Sequence, residues 1–255
     1  MKSFMKSLKE YIYEVSLTEG SLTEGLLDRV KNKEVNHEAI IKEFLETNYK
    51  FRGSYTIKAA NKGFVVDVEG DVNVKNKNIT LLTNELFEFG VVSGDFDCRG
   101  CDSLSSLKGA PQRVGWDFNC SKCNSLTTLE GAPQRVERGF DCCECNSLKT
   151  LEGAPEKVGR DFYCNSCKSL KTLEGAPKEV GGDFICSFCD SLKSLKGVPE
   201  KIGESFYCRH CNSLKTLKDA PKEVRGNFYC GDRRIKFTEE DVKKYTVVSG
   251  AIYVS

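Results

Sequence analysis

Residues 145–167 read "CNSLKTLEGAPEKVGRDFYCNSC": the stretch begins and ends on cysteine, carries a third at Cys164 and closes on a CxxC pair. A CxxC serves as a metal site, a redox pair or ordinary packing, and the surrounding chain has to decide which. Sliding the stretch by 22 residues lays Cys98, Cys120, Cys142, Cys164, Cys186, Cys208 and Cys230 on one column. A second column takes Cys101, Cys123, Cys145, Cys167, Cys189 and Cys211, and only Cys143 is left over. The same shift aligns seven phenylalanines, from Phe96 to Phe228, and every proline of the chain, from Pro111 to Pro221. A fixed repeat of this length is the signature of a solenoid, whose units bury their apolar sides only by stacking on their neighbours.

One unit runs V-x-x-x-F-x-C-x-x-C-x-S-L-x-x-L-x-G-A-P-x-x, as in Val180–Lys201 with Val198 in place of alanine. Phe184, Ile185 and Cys186 alternate with the period of a strand, which puts Phe184 and Cys186 on one side and Ile185 on the other. Cys189, Leu192 and Leu195 then recur every third residue, and Gly-Ala-Pro turns the chain back. Proline removes a donor and fixes φ, so the return is expected to be extended or polyproline-like with a 3₁₀ turn rather than helical.

These positions resemble the leucine-rich repeat, L-x-x-L-x-L-x-x-N/C-x-L. Phe184 takes the second leucine, Cys186 the third, Cys189 the Asn/Cys place, and Leu192 the next leucine one residue late. The resemblance covers residues 92–232, with six full units starting at Val92, Val114, Val136, Val158, Val180 and Ile202. The Gly-Ala-Pro and Val-Gly-Gly-Asp-Phe elements with cysteines are similar to repeats in proteins of tailed bacteriophages and some bacteria. The resemblance implies a thin, mostly β leucine-rich repeat solenoid, a horseshoe whose core is narrow because cysteine stands at the third-leucine place. On that reading both cysteine columns point inward as small hydrophobes, and the second satisfies turn backbone groups in place of an asparagine ladder. Four-thiolate zinc sites from neighbouring CxxC pairs, and redox chemistry, are the alternatives.

Outside the array, residues 1–25 are read as one segment that begins with an amphipathic helix over 2–15. Ser16–Gly20 is repeated as Ser21–Gly25. This tandem resembles the capsid-targeting leader of internal head proteins of T-even-like phages, which implies cleavage after Glu19 or Glu24 and an internal virion protein. A polar linker is the competing reading. Residues 26–91 are read as an α/β N-terminal cap: a helix from Asn36 with Ile40, Ile41, Phe44 and Leu45 inward, then strands around an Asn61-Lys62-Gly63 turn. Val72, Val74, Ile79 and Leu82 suggest a degenerate first coil. Residues 233–255 are read as a helix-strand C-terminal cap, with Thr238 and Asp241 in capping-box spacing.

The chain of 255 residues has a net charge of +1, so no global field draws it to nucleic acid or a membrane, and neither is expected as a partner. The segment "MKSFMKSLKEYIYEV" has no apolar signal-peptide core, and no stretch approaches the roughly 18 apolar residues of a membrane span. A reducing cytoplasm, with the 14 cysteines as thiols, is therefore expected, or a virion if the leader reading holds. His37 and His210 lie far apart, and there is no P-loop or dinucleotide fingerprint. A Cys208–His210 pair is a poor nucleophile candidate because burial raises a thiol pKa. No enzyme activity, cofactor or metal is assigned.

Function is sought instead where the repeat does not dictate the residue. Between Phe and Cys the chain places Asp97, Asn119, Asp141, Tyr163, Ile185, Tyr207 and Tyr229, polar in the first half and aromatic in the second. Strands about 4.8 Å apart would join these side chains into a stripe on the concave face. Tyr163, Ile185, Phe188, Tyr207, Arg209, His210 and Tyr229 have the composition of an interface hot spot, so a protein partner is expected, bound by a monomer. The bland alternative is cross-strand pairing that only stabilises the sheet. Asp95, Asp117, Asp161 and Asp183 read either as an acidic margin of this surface or as a solvated face.

Overall fold

A computed structural model describes residues 37–61, 63–83, 86–232 and 234–254. The expected helix over 2–15, the Asn36 cap and the Glu19 and Glu24 cleavage positions lie outside the described residues. The described chain is a mostly β parallel solenoid.

Each unit makes one coil with two strands of two to four residues rather than one. Phe162–Tyr163 pairs in parallel with Phe140–Asp141 and Phe184–Ile185. On another side, Glu179–Val180 pairs with Lys157–Val158, and Val180 with Ile202. The second ladder arises in the proline return, which the sequence marked as extended without showing that it stacks. Proline lies just outside the strand pair, so its missing N–H costs the ladder nothing.

Alternation sends one residue type inward at every step. Val158, Phe162, Cys164, Cys167, Leu170 and Leu173 are all buried, and the other coils repeat the set. The Phe96, Phe118 and Phe140 rings stack at 5.3 and 5.2 Å within 8° of parallel. Burying such a ring contributes about 2–3 kcal/mol, which each coil obtains only because its neighbour supplies the other wall.

Two further ladders satisfy the coil backbone. The thiols of Cys123, Cys145, Cys167, Cys189 and Cys211 donate to the carbonyl oxygens of Cys98, Cys120, Cys142, Cys164 and Cys186, each one coil earlier, at 3.2–3.3 Å. The second cysteine column thus does the work of an asparagine ladder. In the aspartate column, Asp95 Oδ1 accepts from the Asp117 N–H at 2.9 Å, Asp117 from Gly139 at 2.7 Å, Asp161 from Asp183 and Asp183 from Ser205 at 2.7 Å. Ser205 and Asn227 continue it to Ala251. The aspartates are therefore neither a mere solvated face nor free recognition groups; they cap the backbone of the next coil.

The ends extend the solenoid beyond 92–232. Helix α1, His37–Asn48, buries Ile41 and Leu45 and leads into strand β1, Lys50–Ala59. Strand β2, Phe64–Asn73, returns antiparallel to β1. The turn between them closes with Ala60 N–H donating to Gly63 O at 3.1 Å. Strand β2 also opens both parallel ladders: its first part pairs with β3, Phe87–Val92, and Val72 pairs with Phe96. Val72 and Val74 replace phenylalanine and cysteine, and the Val74 carbonyl accepts from the Cys101 thiol at 3.2 Å. At the far end, helix α2, Glu239–Lys243, is capped by Thr238 with the reciprocal Asp241 contact of a capping box. The expected single closing strand is two, Val247–Val248 and Ile252–Tyr253, which add a coil to both ladders.

Candidate protein-binding face

The side chain next to each inward phenylalanine must point out, so one row of residues emerges from the Phe-x strands. Register pairs Tyr163 with Ile185, Ile185 with Tyr207, Tyr207 with Tyr229, and Tyr229 with Tyr253. The four C-terminal positions expected from sequence are therefore neighbours in one line. Asp97, Asn119 and Asp141 occupy its N-terminal half.

Tyr207 and Tyr229 stack at 4.4 Å and 4°, and Tyr229 and Tyr253 at 4.5 Å and 3°. Stacking covers the ring faces, and Asn227 Nδ2 donates to the Tyr229 hydroxyl at 3.2 Å. The Arg209 guanidinium lies over the Tyr229 ring at 5.7 Å. Tyr163 donates its hydroxyl to Asp161 Oδ2 at 3.0 Å. Burial, and next that hydrogen bond, push the Tyr163 hydroxyl above its ordinary range, and burial does the same for Tyr207. Both stay protonated and able to donate at neutral pH.

Tyr253 belongs to this line although sequence reasoning missed it. Helix α2 is inserted before the last coil, so a 22-residue shift does not reach it. The signal was the local match of "SGAIYV", 249–254, to "RGNFYC", 225–230.

Phe188 and His210 occupy the corner after the strand. Gly100, Lys122, Glu144, Ser166, Phe188 and His210 share a left-handed backbone, with φ between 56° and 67°. Their N–H groups close onto the next coil, as from Phe188 to Arg209 O at 2.8 Å. The fold imposes this conformation, at about 1–2 kcal/mol for a residue other than glycine. A phenylalanine here is 53% exposed and rests on His210 at 4.6 Å. The stack on His210 covers one face of the ring and leaves the rest to solvent.

Both cysteine columns lie inside the coils. Burial pushes the thiols of Cys120, Cys142, Cys164, Cys186 and Cys208 well up. Cys208 points inward while His210 stacks outside on Phe188. Among the described residues, the group whose ligand atoms converge is Asp161, Asp183 and Glu204, with no thiolate in it. A groove over Gly159, Gly181 and Gly203 runs along another corner and includes none of the aromatic residues. No described helix is long and apolar enough to cross a membrane. No protein-family model, curated protein or solved structure matches the chain.

Proposed function

We propose that this chain is a non-catalytic protein-binding solenoid that engages a protein partner through its C-terminal coils. The contact residues are Tyr163, Ile185, Phe188, Tyr207, Arg209, His210 and Tyr229, joined by Tyr253. The observation that carries the reading is Phe188: a large exposed ring at a left-handed position where the same column elsewhere holds glycine, lysine, glutamate, serine or histidine. A residue that is costly for folding and conspicuous at the surface is retained for contact. The raised thiols of Cys120, Cys142, Cys164, Cys186 and Cys208 speak against catalysis by that column, and fourteen free cysteines suit a reducing cytoplasm.

The test is affinity capture with the wild-type chain, Phe188→Gly and Tyr207→Ser, followed by mass spectrometry of what is retained. Phe188→Gly relieves the left-handed strain, so its melting temperature should hold or rise while a specifically retained protein is lost. Retention of the same proteins by both variants would sink the proposal.

A further inference from the structure

A second exposed cluster lies on another corner of the coil, in the column two residues after the valine. This column reads Gly94, Trp116, Arg138, Arg160, Gly182, Glu204 and Gly226. Glycine is frequent there, so the run Trp116, Arg138, Arg160 is a departure that the fold does not require. Successive backbone bonds hold the three in line: Arg138 N–H donates to Trp116 O at 3.3 Å and Arg160 N–H to Arg138 O at 3.0 Å.

Trp116 is the chain's single tryptophan and is 47% exposed. The Arg138 guanidinium lies 4.8 Å from its ring centroid. In the preceding coil the same column holds Gly94, whose carbonyl accepts from the Trp116 backbone N–H at 3.1 Å. Neighbouring columns neutralise their charges within and across coils. Glu137 binds Arg113 and Arg135, and Lys157 binds Glu179. Arg138 and Arg160 enter no ion pair among the described residues, though Arg138 lies within electrostatic reach of Asp95. Arginines in successive coils, whose backbones lie about 4.8 Å apart, are like charges in register, an unfavourable placement that a bound anion would relieve.

We propose that Trp116, Arg138 and Arg160 form a docking site for an acidic segment of a partner protein, separate from the aromatic face. Guanidinium forks bind carboxylates in two parallel hydrogen bonds, and the ring takes the aliphatic part of a glutamate or an adjoining apolar side chain. Asp117 and Asp161 flank the row, and their carboxylates already accept backbone N–H groups of the next coil. A continuous phosphate backbone would run past these negative groups. A short peptide can set its carboxylates on the two arginines alone, which favours protein over nucleic acid.

Trp116 is its own reporter. Titration of the full chain at low salt with hexaglutamate should shift its emission, whereas hexalysine should not. Anisotropy of dye-labelled hexaglutamate should show binding weakened about tenfold in the Arg138→Gln/Arg160→Gln double variant and on raising salt. Both side chains are exposed, so an unchanged melting temperature will show that the variant is folded. An unmoved Trp116 emission, or equal binding by the double variant, would overturn the site. Tighter binding of hexathymidylate than of hexaglutamate would overturn the acidic-protein assignment. None of these readouts depends on the aromatic face.

Discussion

The thiol of Cys189 donates to the carbonyl oxygen of Cys164, one coil earlier, at 3.2 Å. Both residues are fully buried, so this inward-facing carbonyl takes its donor from a side chain rather than from water. An interior acceptor left without a donor costs about 1–3 kcal/mol. Cys189→Ala should therefore lose about that much stability in chemical denaturation, and Cys189→Ser, which keeps a donor, should lose less. Equal losses would mean that the column acts through volume alone.

Gly139 interrupts the aspartate ladder, because it accepts nothing from Asp161 N–H while its own N–H is held by Asp117 at 2.7 Å. A Cβ at Gly139 would lie 3.1 Å from Asp117 Oδ1 and otherwise in ordinary contact. Asp183 already accommodates the same bond with its side chain in place. Gly139→Asn should complete the ladder without placing a third carboxylate between Asp117 and Asp161, raising stability by about 1 kcal/mol. A lower melting temperature would show that the gap is needed.

Asp219 stands where the other return turns have glycine, at φ 71°. In those turns a bond crosses to the next coil, such as Leu173 N–H to Lys196 O at 3.0 Å. Asp219→Gly removes the strain of a side chain in the left-handed region and should stabilise by up to about 1 kcal/mol, less whatever the freer unfolded chain takes back. Thermal melts of the two proteins under one buffer check this.

Stability should fall at alkaline pH. Burial raises the Cys211 and Cys230 thiols from 9.0 to about 12. Between these values the unfolded chain gives up protons that the folded chain keeps. Their contribution is therefore complete below pH 9 and is lost progressively as pH climbs toward 12, at about 1.4 kcal/mol per pH unit for each such thiol. Melting temperatures in reducing buffer from pH 8 to 11 should decline from about pH 9, and a flat profile would show that these thiols titrate freely in the folded protein.

The period was legible in the sequence because a solenoid repeats its inward contacts. Valine, phenylalanine, both cysteines and both leucines recur at fixed spacing and are buried in every coil. The capping box at Thr238 and the turn before Gly63 were also legible, since their chemistry lies within a few residues of chain. Side chains between inward residues had to point out, so the line from Tyr163 to Tyr229 followed from alternation plus the period.

Only the tertiary structure decided which outward residues meet across coils once the period fails. Tyr253 joins the stack because parallel pairing carries register past an inserted helix that spacing cannot cross. The left-handed setting of Phe188 depends on how the corner closes against the next coil, and no residue type announces it. The aspartates' role as backbone acceptors, and the absence of ion pairs at Arg138 and Arg160 among the described residues, likewise depend on neighbours 22 residues or more away in sequence. Burial is set by a residue's own place in the repeat. Partnership is set by the stacking of coils, which brings together residues remote along the chain.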